Sequence, residues 1–189
     1  MSLSLKEIFA KVIVNYKEKN FKVAEAYCYK ILGINSNHFD SVSMLATISF
    51  INKDYNKAKE FMHRAIEIEP ENKSALHNLG TVYKDLGNFE EAKKFFLKVI
   101  NIDSKHTNAN YNLGLIYYKL KDLKTSKNYF KKTIDTKKNY ALAFFSLGNV
   151  NLELKEFNEA ISCYRSAIEI NPNLVAAHNN LGLVFRAHN

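Results

Sequence analysis

Side chains able to carry out chemistry are few in this sequence. Two cysteines, Cys28 and Cys163, cannot build a disulfide framework. The six histidines are scattered. There is no phosphate-binding loop, no Gly-x-Ser-x-Gly and no paired carboxylate site. The expectation is therefore no catalytic residue, no metal ligand and no cofactor: a chain that is not an enzyme. What the sequence does offer is a column of polar side chains, Asn78, Asn112, Ser146 and Asn180, each 34 residues after the last. An amide both donates and accepts hydrogen bonds. A ladder of amides pairs with the backbone of an extended peptide whatever its side chains. Tyr111 and Phe145 stand beside it, and exposed aromatics make good anchors.

The elements that must carry this column show the same period. Ala75-Leu76-His77-Asn78-Leu79-Gly80, Ala109-Asn110-Tyr111-Asn112-Leu113-Gly114, Ala143-Phe144-Phe145-Ser146-Leu147-Gly148 and Ala177-His178-Asn179-Asn180-Leu181-Gly182 align at 34-residue steps. So do Ala24, Ala58, Ala92, Ser126 and Ala160, and Cys28, Met62, Phe96, Phe130 and Tyr164. Such self-similarity marks a stack of supersecondary units. The units are 5–38, 39–72, 73–106, 107–140 and 141–174, and a terminal helix spans 175–189. In 73–106, Leu76, Leu79, Val82 and Tyr83 have helical spacing, and Phe89, Ala92, Phe95, Phe96 and Val99 form a second helix. Gly87-Asn88 between them predicts a left-handed turn. Pro70 and Pro172 mark the next turn. Small residues in the Gly80, Gly114, Gly148 and Gly182 column predict close helix crossings, where overpacking costs about 1–3 kcal/mol.

The pattern resembles the tetratricopeptide repeat (TPR), carried by Leu79, Gly80, Tyr83, Ala92 and Phe96 in the third unit and by Leu147, Gly148, Ala160, Tyr164, Ala167 and Pro172 in the fifth. The fifth unit departs from it at Asn151, and the first at Lys11, Val12 and Asn15. The resemblance implies an all-α fold, a right-handed α-α superhelix of helix–turn–helix repeats forming one domain over 1–189. It also implies that the first helices line a concave groove. Carried over column by column, that groove shows His77, Asn78, Thr81, Tyr111, Asn112, Phe145, Ser146, Asn149 and Asn180. The column resembles the asparagine ladder of O-linked GlcNAc transferase repeats. Ala10 and Met44 hold that column in the first two units, which places the expected site in the C-terminal half. The groove columns lack the Lys and Arg of the carboxylate clamp found in some family members.

The implied function is a non-catalytic scaffold or adaptor that holds a protein or an extended peptide. An alternative is the substrate-recruiting region of a larger enzyme, such as a glycosyltransferase or sulfotransferase, since the apolar Leu181, Val184 and Phe185 lead toward a chain that continues. Self-association through the last helix is a further expectation.

Charge raises a third reading. Lys and Arg total 27 against 19 Asp and Glu, a net +8. The surplus concentrates in the fourth unit, where Lys119, Lys121, Lys124, Lys127, Lys131, Lys132, Lys137 and Lys138 face only Asp122 and Asp135. That could serve nucleic acid or an acidic partner. Only 3 of the 27 are Arg, the residue suited to bidentate phosphate and base contacts, so nucleic acid is disfavoured. No stretch approaches the roughly 20 apolar residues of a membrane helix, and the N-terminus lacks the apolar core of a signal peptide. A cytoplasmic protein is expected.

Overall fold

A computed structural model describes residues 3–188, so position 189 of the expected terminal helix lies outside the described residues. Among the described residues there are eleven helices and no strand. The first helix of each repeat is α1 (Leu5–Lys17), α3 (Phe39–Ile51), α5 (Lys73–Asp85), α7 (Thr107–Lys119), α9 (Ala141–Glu153) and α11 (Val175–His188). The second helices are α2 (Phe21–Ile34), α4 (Tyr55–Ile68), α6 (Phe89–Ile102), α8 (Leu123–Thr136) and α10 (Phe157–Ile170).

Polar residues at one repeat position start the first helices of repeats one to four, whereas Tyr140 at that position before α9 makes no side-chain cap. Ser4 and Glu7 form a capping box on α1. His38 Nδ1 accepts from the Ser41 amide at 3.2 Å, Asn72 Oδ1 from Ala75 at 3.0 Å, and His106 Nδ1 from Ala109 at 3.1 Å. Each satisfies an amide that the helix itself leaves without a partner. His38 and His106 thus act as helix caps.

The turn inside each repeat is a left-handed one. Gly87 has φ 77, as its sequence predicts. The equivalent residues are all lysines: Lys19 (φ 61), Lys53 (61), Lys121 (63) and Lys155 (61). Each turn carries the paired bonds of a Schellman motif, for example Glu156 N to Asn151 O at 2.8 Å and Lys155 N to Leu152 O at 3.0 Å. Those two bonds hold a side chain where left-handed backbone costs about 1–2 kcal/mol.

Two compact units divide the chain between Phe95 and Phe96, within α6. In the N-terminal unit, α1 to α5 pack around a core that includes Val12, Cys28, Leu45, Ala46, Met62 and Leu79. Burial pushes the Cys28 thiol up to about 12, which keeps it an inert apolar filler. Tyr83 and Phe95, packed against this core, stack with centroids 5.6 Å apart and planes within 4°.

In the C-terminal unit the glycine column does what its spacing predicts at two positions. A Cβ on Gly114 would stand 2.6 Å from the Phe130 ring, and one on Gly148 2.6 Å from the Tyr164 ring. Gly182 departs from the expectation: a Cβ there would meet nothing within 4 Å. No second helix of its own repeat covers α11 among the described residues, so its glycine marks no crossing. The fifth repeat differs once more. Tyr117 stacks on Tyr129 at 5.5 Å in the fourth repeat. The equivalent pair in the fifth is Asn151 and Cys163, joined by an amide-to-sulfur contact of 3.6 Å.

Candidate peptide-binding surface

The amide column is legible in the sequence, but its depth is not. Asn78 is exposed on α5, whereas Asn112 and Ser146 are each only 8% exposed. The expected row of solvent-facing amides is therefore interrupted inside the C-terminal unit. Packing explains it. Tyr111 leaves α7 and lies against Tyr140 (5.0 Å) and Phe130 (5.7 Å), and its hydroxyl approaches Ser146 Oγ at 3.5 Å. The ring fills the space between successive first helices. Phe145 packs on Tyr164 at 6.0 Å. Asn149 Oδ1 accepts from both the Tyr164 hydroxyl and Asn180 Nδ2, each at 2.8 Å. Five of the nine expected site residues are thus drawn into contacts between helices of the C-terminal unit, and Asn112 is buried there.

The other three lie in the N-terminal unit. His77 is half-buried, and the Thr81 hydroxyl donates to the His77 carbonyl at 3.0 Å. Here the space between first helices stays open. A hollow of 180 Å³ lies between α3 and α5, floored by Met62 with Ala46 and Ala65 and walled by Phe39, Ser43, Asn72 and Asn78. A second hollow, of 120 Å³, adjoins it and is lined by Thr47, Phe50, Met62, Asn78 and Thr81. Asn78 and Met62 belong to both. The Ser43 hydroxyl is buried without a hydrogen-bond partner.

Met62, Ser43, Thr47 and Phe39 escaped the sequence reading as site residues. A signal existed in the volumes along each column. The Ser43 column holds Tyr111 in the fourth repeat, and the Ala46 column holds glycine from the third repeat on. Where the rings are large the space is filled; where Ser43 and Met62 stand it is not.

Electrostatics bear on the basic fourth repeat. Lys121 pairs with Glu153 at 3.0 Å, Lys138 with Asp135 at 2.9 Å, and Lys127 with Glu156. The Tyr118 hydroxyl also donates to Glu153. These two donors hold the Glu153 carboxyl below the usual carboxylate range, and burial, then Glu153, pushes Tyr118 up to about 12. Lys121 and Lys127 thus reach from the fourth repeat to the fifth, while Lys138 pairs within its own repeat. On α11, Val175, Leu183 and Phe185 are exposed. Among the described residues no cluster of three or more His, Cys, Asp or Glu could hold a metal, and no helix is long and apolar enough to cross a membrane.

Comparison with known proteins identifies the repeats. The tetratricopeptide repeat profile matches residues 40–72, 74–106 and 107–140, and a TPR repeat profile matches 148–188. This chain belongs to the tetratricopeptide repeat family. Solved structures of TPR type share its fold. YrrB, described as a TPR protein with an unusual peptide-binding site, has 18% identity and a TM-score of 0.79, over 94% of this chain and 91% of that one. MamA from Desulfovibrio magneticus RS-1 has 16% identity and a TM-score of 0.82, over 92% and 98%. The pilF protein of Pseudomonas aeruginosa has 19% identity and a TM-score of 0.83, over 96% and 84%. At these identities the likeness is one of fold. No curated protein sequence matches the chain. The TPR columns account for the helices and turns; the hollows come from this chain's own departures from uniform columns.

Proposed function

We propose that this TPR chain is a non-catalytic interaction scaffold that holds an extended peptide of a partner protein on the α3–α5 surface, with Asn78 at its centre. The observation that carries this reading is the pair of hollows sharing Asn78 and Met62. On α3 the larger is lined by Phe39, Ser43 and Ala46 and the smaller by Thr47 and Phe50, so the two follow one another along the helix, Ser43 and Thr47 one turn apart. A turn rises about 5.4 Å. Alternate side chains of an extended strand, which point to the same face, are spaced by roughly 6.6–6.8 Å. Two side chains of such a peptide enter adjacent hollows while the Asn78 amide pairs with the backbone between them. YrrB, a TPR protein of the same fold, is described as having a peptide-binding site, which supports this reading.

Selection from a random phage-displayed peptide library against the whole chain tests it. Enriched peptides are expected to lose binding to Asn78→Ala and to Ser74→Phe, whose exposed position borders the larger hollow. Enriched peptides indifferent to both variants would place the binding surface elsewhere.

A further inference from the structure

The repeat itself shows what fits the larger hollow. In the C-terminal unit, Tyr111 touches Phe130, Tyr140 and Ser146. Counting back two 34-residue periods gives Met62, Asn72 and Asn78, and all three line the 180 Å³ hollow. The residue at the Tyr111 position is Ser43, which also lines it and whose buried hydroxyl has no partner. The hollow is thus the slot that a tyrosine of the chain occupies two repeats later, left vacant because Ser43 is too short to fill it.

Size agrees. An apolar cavity of about 150 Å³ holds benzene. The 180 Å³ hollow has room for a six-membered ring, and the smaller 120 Å³ hollow suits a branched aliphatic chain. Met62 and the Ala46 and Ala65 methyls offer the ring an apolar floor, and thioether sulfur packs well on aromatic rings. A phenol fits better than a benzene ring because a polar group awaits its hydroxyl. Asn78 stands where Ser146 meets the Tyr111 hydroxyl, at the far end of the ring from Ser43. A buried ligand hydroxyl needs such a hydrogen-bond partner.

Resting on the peptide-binding reading above, we propose that the larger hollow is a receptor for a tyrosine side chain of the partner, and the smaller one for an aliphatic side chain two residues away. The motif is Tyr-x-Leu, or Leu-x-Tyr if the strand runs the other way. The ligand ring restores in trans the contact that Tyr111 makes in cis.

Fluorescence anisotropy with two labelled heptapeptides, Gly-Ser-Tyr-Ser-Leu-Ser-Gly and its reverse, and the Phe version of each, tests this on the whole chain. The better Tyr peptide is expected to bind about three- to ten-fold more tightly than its Phe version, the range of one neutral hydrogen bond. Ser43→Tyr places a ring in the slot from within; it is expected to bind neither peptide and to melt at a higher temperature. If that variant fails to fold, Ser74→Phe closes the mouth and is expected to abolish binding. Equal affinity of Tyr and Phe peptides, both lost in Asn78→Ala, would overturn the tyrosine assignment while leaving the peptide surface standing. Tyr peptides that bind Ser43→Tyr and Ser74→Phe as well as the parent would overturn both.

Discussion

The glycine column offers a sharp perturbation, because the same substitution at equivalent positions meets opposite surroundings. In Gly148→Ala the new Cβ would lie 2.6 Å from Tyr164 Cε1 and 2.8 Å from Cδ1, well inside the 3.4–4 Å of ordinary contact. The ring must give way, yet its hydroxyl is tied to Asn149 at 2.8 Å and its surface is fully buried. Overpacking of this kind costs about 1–3 kcal/mol. Alanine returns about 1 kcal/mol of helix propensity. The net is a loss of roughly 0–2 kcal/mol. Gly182→Ala keeps the propensity gain and meets nothing within 4 Å, so it stabilises by up to about 1 kcal/mol. The two variants should therefore separate by about 1–3 kcal/mol, and for a chain of this length each kcal/mol moves the melting point by about 2–4 °C. Urea denaturation followed by circular dichroism measures the difference. Adding Tyr164→Met to Gly148→Ala recreates the Ala46/Met62 pair of the second repeat and should recover part of the loss as a positive coupling. Equal changes in Gly148→Ala and Gly182→Ala, or no coupling in the double variant, would refute the crossing argument.

Three further outcomes are expected. Lys155→Gly relieves a left-handed side chain (φ 61) and should raise stability by about 0.5–1 kcal/mol, the strain relieved less the added chain entropy; an unchanged urea midpoint would contradict this. Glu153 is held ionised in the folded state by the Tyr118 hydroxyl and Lys121. Its folded pKa lies below the unfolded value of 4.5, so its contribution is present above pH 4.5 and is lost as pH falls through the folded pKa. Glu153→Gln should flatten the acid limb of a melting-temperature profile, and an identical limb would remove Glu153 from the account. Asn151→Tyr with Cys163→Phe restores the aromatic stack of the third and fourth repeats and removes the unpartnered Asn151 Oδ1. It should stabilise by about 0.5–1.5 kcal/mol beyond area burial, read as a rise in melting temperature over either single variant.

Much of the fold was legible because a period needs only residue identity. Each helix pair follows from apolar spacing and from a turn at a fixed column. The left-handed turns at Lys19, Lys53, Lys121 and Lys155 were legible only at their glycine counterpart, Gly87, because lysine carries no local mark of a positive φ. The site was legible in composition but not in depth. Asn112 and Asn78 are the same residue in the same column, yet one is buried and the other exposed. For Ser146 against Asn78 in that same column, the facing residues differ in volume, Tyr111 against Ser43 and Phe130 against Met62, which pattern-matching along one column does not weigh. Side-chain volume summed across facing columns carries that information.

The central claim is that a partner peptide seats its side chains on Met62. The sequence has only three methionines, so carbon-13 labelling of their methyl groups gives a sparse NMR spectrum with a reporter on the floor of both hollows. Titration with the tyrosine heptapeptide should shift the Met62 methyl resonance upfield under the ring current, with the same midpoint as the anisotropy curve, and Ser43→Tyr should show that shift without peptide. A Met62 methyl that stays in place while the peptide binds would contradict the account.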